Sequence, residues 1–254
     1  EIETNKSVTL PNDILKEVIR QTVIAVSKQE SRPILAGVHM TLKDGVLTAV
    51  ATDSHRLAQR KVVLENIDNS IDFDVIIPGK SMEELSGMIS DVHEDVQMQV
   101  TENQVLFIFG NTHFYSRLLE GNYPETSQLI PQTADTTVEL EAGTFLSSIE
   151  RASLLSHESR NDVVKLSLKP SESLVRISGD SPDIGTVEEK VVTSALDGND
   201  LEISFNPNYM KDALRSFGQA TIKISFTSPL RPFTLVPTED QENFVHLITP
   251  VRTF

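Results

Sequence analysis

A constant internal offset constrains this chain more than any other feature. Ser31-Arg32 recurs as Ser159-Arg160, and Met82 in Ile77-Pro78-Gly79-Lys80-Ser81-Met82 recurs as Met210 in Phe205-Asn206-Pro207-Asn208-Tyr209-Met210, both 128 residues on. Lys61-Val62-Val63 returns as Lys190-Val191-Val192 at an offset of 129. Three separated landmarks within one residue of the same spacing mark two copies of a single unit. A chain of 254 residues has room for both. Charge divides as evenly: residues 1–128 carry 11 basic against 19 acidic side chains, and residues 129–254 carry 11 against 18. The expected domains are therefore 1–128 and 129–254. Their junction falls within residues 121–137, where Pro124, Pro131 and several Ser and Thr cluster.

Each copy reads in the same order. Residues 12–28 place Ile14, Leu15, Val18, Ile19, Thr22, Val23 and Val26 at helical spacing behind the start signals Pro11 and Asn12. Strand-like runs at 37–42 and 46–52 flank Lys43-Asp44-Gly45, a hairpin turn, and further strands are expected at 56–64 and 73–77. A second helix over 80–89 precedes strands at 96–100, 105–109 and 113–119, and the second copy has helices near 142–155 and 208–217. A weaker repeat lies inside the first copy. Val38-His39-Met40, Asp44-Gly45 and His55 match Val96-Gln97-Met98, Glu102-Asn103 and His113 at an offset of 58. Each domain is thus a doubled helix-plus-strands unit. The fold class is α+β, with two helices per domain packed on antiparallel sheets.

The composition, 39% hydrophobic and 23% charged, is that of an ordinary globular chain and disfavours disorder. No cysteine is present, which excludes disulfides and thiol chemistry and fits a cytoplasmic localisation. No apolar run approaches the ~18 residues of a membrane span. Glu1-Ile2-Glu3-Thr4 contains neither an initiator methionine nor a signal peptide, as expected of a fragment. The net charge of −15 argues against a protein held on nucleic acid mainly by charge.

The residues that carry chemistry are sparse. The six histidines lie far apart, with no pair at helical spacing, so neither a zinc site nor a cofactor is expected. Gly79-Lys80-Ser81 resembles the end of a phosphate-binding loop, but Asp74 stands where the motif needs a glycine. Asp53-Ser54-His55 holds the residue types of a hydrolytic triad without a Gly-x-Ser-x-Gly elbow, and sequence neighbours rarely converge on one atom. Glu83-Glu84 and the acids of 197–200 read as solvated faces and turns. A two-domain interaction scaffold, or a hydrolase built on Asp53, Ser54 and His55, are the readings these residues leave open by themselves.

Ala51-Thr52-Asp53-Ser54-His55-Arg56-Leu57-Ala58 resembles the Ala-Thr-Asp-(Gly/Ser)-His-Arg-Leu-Ala segment of the middle domain of bacterial DNA polymerase sliding clamps, the β subunit of the replicase. Glu120-Gly121-Asn122-Tyr123-Pro124 is similar to that family's Gly-x-(Phe/Tyr)-Pro interdomain turn. Phe205-Asn206-x-x-Tyr209, Ser228-Pro229-Leu230-Arg231-Pro232-Phe233 and Ile248-Thr249-Pro250-Val251-Arg252 follow in the family's order up to its C-terminus. The resemblance implies the second and third of three similar domains, the first lying ahead of Glu1. It also implies a non-catalytic processivity factor of DNA replication. In that family two subunits close head to tail into a homodimeric ring around double-stranded DNA. The ring tethers the replicative polymerase, clamp loader and repair proteins through short linear motifs.

Two surfaces follow from the resemblance. The hole-facing set comprises Lys16, Arg20 and Lys28 on the first helix, Lys211 and Arg215 on the last, and Gln29, Arg32 and Lys80. Lys16 and Arg20, four apart, share a helix face. The partner-peptide pocket lies between the two domains in the family and takes motifs of the Gln-x-x-Leu-Phe type. Matched by motif, its walls are Leu35, Thr52, Ser54, His55, Arg56 and Leu57; then Pro124 and Leu129; then Asn206, Tyr209, Pro229 and Arg231; and Thr249, Pro250, Val251 and Arg252 from the tail. An apolar tail of Ile248, Pro250, Val251 and Phe254 suits a groove that wants cover. The chain departs from the enterobacterial pattern at Thr249 and Val251, where methionines are familiar, and at Gln128, which replaces an arginine. The tail ends Thr253-Phe254, one residue past the usual last leucine, and Arg160-Asn161 stand where an aromatic is frequent. A pocket with fewer methionines is less adaptable, so motif preference is expected to shift.

Overall fold

Runs alternating apolar with polar residues form the strands, and two runs of 3.6-residue period form the helices of the first unit. The computed structural model describes residues 6–156, 163–181 and 183–253, and the chain divides into two units between Glu125 and Thr126. Unit 1 runs β1 (Lys6–Pro11), α1 (Asn12–Thr22), β2 (Gly37–Lys43), β3 (Val46–Thr52), β4 (Arg56–Val63), β5 (Phe73–Pro78), α2 (Gly79–Met88), β6 (Asp95–Val100), β7 (Gln104–Phe109) and β8 (Thr112–Arg117).

Strand, helix and three-stranded meander thus occur twice, and this half-unit is what repeats at an offset of 58. The leading strands are exchanged. β1 pairs antiparallel with β6 of the other half, and β5 pairs antiparallel with β2. The meanders β2-β3-β4 and β6-β7-β8 are antiparallel throughout. Val38 and Met40 on β2 and Val96 and Met98 on β6 are fully buried, so the matched residues face one core. Leu15 and Ile19 of α1 and Met82 and Leu85 of α2 fill that core against Leu47, Phe73 and Phe107. β1, with Val8 and Leu10 as its two inward side chains, has too short an alternation to stand out in the sequence.

One expectation for the first helix is corrected. The helix ends at Thr22, six residues before Lys28. Thr22, Val23 and Ile24 are β-branched, and the Thr22 hydroxyl donates back to the Val18 carbonyl at 2.8 Å. Val23–Ala25 then tightens into a 3-10 turn, and Val26 is extended. Lys28 therefore sits on a loop. The helix does begin at Asn12, as its start signals predict, and that residue, 1% exposed, also holds a distant loop. Its amide donates to the carbonyls of Ser90 at 2.9 Å and Val92 at 2.7 Å, and its oxygen accepts from the amides of Asp13 and Glu94. It fastens the loop after α2 to the start of α1.

Unit 2 runs β9 (Thr136–Glu141), α3 (Ala142–Ser156), β10 (Val164–Lys169), β11 (Leu174–Ser181), β12 (Gly185–Lys190), β13 (Ala195–Gly198), β14 (Leu201–Phe205), α4 (Pro207–Phe217), β15 (Thr221–Phe226), β16 (Phe233–Pro237) and β17 (Phe244–Ile248). The exchange of leading strands is repeated: β9 pairs with β15, and β14 pairs with β10. β13 is an addition along β9. Met210 takes the place of Met82 in the first turn of its helix, and both are fully buried. Val63 and Val192, paired by the 129-residue offset, are both solvent-exposed. The Ser159-Arg160 member of the repeat, with Asn161, lies outside the described residues. α3 crosses so close to β11 that a Cβ on Gly179 would stand 2.0 Å from the Ala152 carbonyl oxygen.

Candidate functional site

The loop joining β3 to β4, residues 52–56, closes on itself. Asp53 Oδ1 accepts from the amides of His55 at 2.9 Å and Arg56 at 3.0 Å, and Asp53 Oδ2 accepts from Arg56 Nε at 3.1 Å. The pair is well shielded, each side chain 13% exposed, which favours a charge-assisted bond. Thr52 Oγ1 donates to the Arg56 carbonyl at 2.7 Å and accepts from the Ser54 amide at 3.3 Å. Ser54 is a non-glycine residue at φ +79°, a conformation such bonds must hold in place. Its hydroxyl accepts from Arg32 Nη1. Arg32, expected among the hole-facing residues, thus bonds to the pocket loop.

Tyr123 was absent from the expected site, yet it organises this wall. Its hydroxyl accepts from the Thr52 amide at 3.1 Å, and its ring stacks on His39 with centroids 4.8 Å apart. His39 Nε2 lies 2.7 Å from Asp74 Oδ1 on β5. Burial pushes the Tyr123 phenol up to about 12; the Thr52 amide and the Arg32 charge act the other way. Leu35 and Leu57 are 1% exposed and so stiffen the wall while offering little apolar surface. Pro124 follows Tyr123 and is half-buried.

In unit 2, Asn206 caps α4, its side-chain oxygen accepting from the Asn208 amide at 2.8 Å. Tyr209, one turn on, packs half-buried against the core. Pro229 and Arg231 are exposed on the turn after β15, closed by the Leu230 amide donating to Ser228 Oγ at 3.3 Å. Leu129 is 53% exposed. The tail is tethered: the Val251 amide donates to the Ser204 carbonyl on β14 at 2.8 Å. Thr249 and Arg252 are exposed, and Pro250 and Val251 half-buried. Ile248, read as part of an apolar tail wanting cover, is instead fully buried core on β17. Phe254 lies outside the described residues.

The helix cations are largely compensated. Lys16 pairs with Asp91 at 3.0 Å, Arg20 with Glu17 at 3.9 Å, and Arg215 with Glu150 and Asp212 at 3.6 and 3.5 Å. Lys28, Gln29 and Lys80 are exposed, and Lys211 is half-buried. Gly79 brings Lys80 to the same corner of unit 1 as the loop after α1, since a Cβ there would meet the Ala36 carbonyl at 3.0 Å and Val26 at 3.1 Å. That close packing is what the glycine of Gly79-Lys80-Ser81 serves, and Ser81 Oγ accepts from Ser116 Oγ at 2.8 Å.

The loop offers little to hydrolysis. Both Asp53 oxygens are engaged by the turn and by Arg56, and the Ser54 oxygen already accepts a bond from a cation, which weakens it as a nucleophile. Among the described residues, no three His, Asp or Glu side chains converge where a metal ion could be held. No helix among them is long and apolar enough to cross a membrane. What the loop of residues 52–56 can do is present backbone polar groups in a shape fixed by the bonds of Asp53 and Thr52.

Residues 9–125 match the family described as "DNA polymerase III beta subunit, central domain", and residues 127–252 match "DNA polymerase III beta subunit, C-terminal domain". The beta sliding clamp of Bacillus subtilis (strain 168) is 50% identical over 254 residues, which is all of this chain and 66% of that protein. That of Streptococcus pneumoniae serotype 4 is 46% identical over the same shares. The crystal structure of the Bacillus subtilis DNA polymerase sliding clamp superposes with a TM-score of 0.95 at 49% identity, covering 100% of this chain and 66% of that one. The beta subunit from Streptococcus pyogenes superposes at 0.94 and 41% identity, covering 100% and 67%. The chain spans about two-thirds of the length of these relatives. With both domains matched in order and the fold reproduced throughout, the chain belongs to the DNA polymerase III beta subunit family, whose central and C-terminal domains it carries.

Proposed function

We propose that this chain is the two-domain part of a sliding clamp, a non-catalytic processivity factor of bacterial DNA replication acting in the cytoplasm. The observation that carries the reading is the ordered match of both domains, joined to relatives named beta sliding clamp at 46–50% identity over the whole chain. Such a ring encircles duplex DNA, so a polymerase bound to it dissociates only locally and rebinds at high effective concentration. Sliding needs weak, sequence-blind contacts with phosphates. Compensated cations on α1 and α4 suit that requirement better than a bare basic face would.

The polymerase, clamp loader and repair proteins engage it through short motifs. The walls are Leu35, Thr52, Ser54, His55, Arg56, Leu57 and Pro124 in unit 1. In unit 2 they are Leu129, Asn206, Tyr209, Pro229, Arg231, Thr249, Pro250, Val251 and Arg252. A preformed wall suits a short ligand because little ordering is left to oppose binding. The DNA-facing group is Lys16, Arg20, Lys28, Gln29, Arg32, Lys80, Lys211 and Arg215. The full-length protein closes as a homodimer. In unit 2, β12 has a strand neighbour on one side only among the described residues, and Leu154 and Ile184 are 67% and 57% exposed, features a second subunit would cover.

Calorimetric titration with a Gln-Leu-Ser-Leu-Phe peptide tests the reading. Binding at micromolar affinity or better is expected, and it is lost in Tyr209→Ala with the cooperative melt retained. No heat at saturating peptide would overturn the peptide site.

A further inference from the structure

We infer that Tyr123 is a positioning residue for the peptide wall of unit 1. Its hydroxyl holds the Thr52 amide and so fixes the loop of residues 52–56 beside Pro124, the next residue in the chain. The inference rests on the peptide-binding reading above.

The end of β3 is unpaired on its β2 side. The ladder between β2 and β3 ends at His39 opposite Val50, two residues before Thr52. Thr52 is 8% exposed, so its amide would be left buried without a strand acceptor. Tyr123 Oη supplies that acceptor at 3.1 Å. The phenol is held in turn by the ring it stacks on, which is His39, the residue where the ladder stops. Asp74, 2.7 Å from His39 Nε2, orients that imidazole from β5. The line Asp74, His39, Tyr123, Thr52 therefore runs from a sheet edge into the candidate loop. The bonds through Asp53 and Thr52 Oγ1 fix the shape of the loop, and Arg32 Nη1 donates to its Ser54 hydroxyl from the loop after α1. Tyr123 thereby links the loop of residues 52–56 to Pro124, its neighbour in the chain.

Tyr123→Phe keeps the ring and its stack but removes the acceptor. Amide exchange followed residue by residue and titration with the Gln-Leu-Ser-Leu-Phe peptide test the idea together. The Thr52 amide is expected to exchange at least about tenfold faster in the variant, while Ala49 and Val50 on the same strand keep their protection. Peptide affinity is expected to fall by about tenfold. Unchanged exchange at Thr52, or wild-type affinity in the variant, would overturn the proposal. So would a general loss of protection along β3, which marks a merely structural role. If the unsubstituted protein fails to bind, the peptide reading itself falls and this inference with it. Binding by the unsubstituted protein and the variant alike removes the inference alone.

Discussion

At the scale of single residues, Tyr123 makes the stability of unit 1 depend on alkaline pH. A free phenol loses its proton near 10, and the buried one near 12. Between those values the unfolded chain releases a proton that the folded chain retains. The contribution is therefore complete below pH 10 and lost as pH rises through 12, amounting to roughly 2–3 kcal/mol. Urea midpoints at pH 9 and 11.5 should fall further in the unsubstituted protein than in Tyr123→Phe; equal falls would remove this assignment. Gly179 is a steric case. An alanine there puts its methyl 2.0 Å from the Ala152 carbonyl, so α3 must lift from β11. Gly179→Ala is expected to cost about 1–3 kcal/mol in a chemical melt, and an unchanged midpoint would show that α3 shifts freely. Neither role could be read along the chain. The Thr52–Tyr123 bond spans 71 residues, and Gly179 meets Ala152, 27 residues earlier in the chain.

Among the elements, the exchanged leading strands have the largest consequence. Residues 6–64 hold β1 and β2, but their partners β6 and β5 belong to the rest of the unit. Neither half of unit 1 can complete its sheets alone, and edge strands deprived of partners expose backbone groups and apolar faces together. Fragments 6–64 and 65–125 should each melt without cooperativity by circular dichroism, and an equimolar mixture should recover a cooperative transition. A folded half-fragment would refute the exchange as a requirement. The helices and most strands were legible because their periodicity is local. The end of α1 was not, because a run of Thr22, Val23 and Ile24 keeps the apolar spacing of a helix while its branched side chains favour leaving it.

For the whole molecule, the question is how a chain of net charge −15 handles DNA. Of the residues proposed to face DNA, Lys16, Arg20 and Arg215 have carboxylate partners, and among the described residues the Lys28, Arg32, Lys80 and Lys211 charges have no such pairing to give up for phosphates. Binding of this two-domain chain to a short duplex should be weak. The slope of log affinity against log salt should be no steeper than about −3 to −4. A much steeper slope would mean that the paired cations also engage DNA. The sequence by itself determined the duplication, the α+β class, the four helices and the strands of unit 1 after β1, and it carried the octapeptide of residues 51–58. Repeats, periodicity and short motifs are properties of neighbours along the chain. Only the tertiary structure decided that leading strands exchange between half-units, that Asn12 fastens a loop, that Arg32 answers Ser54 and that Tyr123 seats Thr52. Each of these depends on which distant backbone group comes within about 3 Å, and that distance is settled by packing.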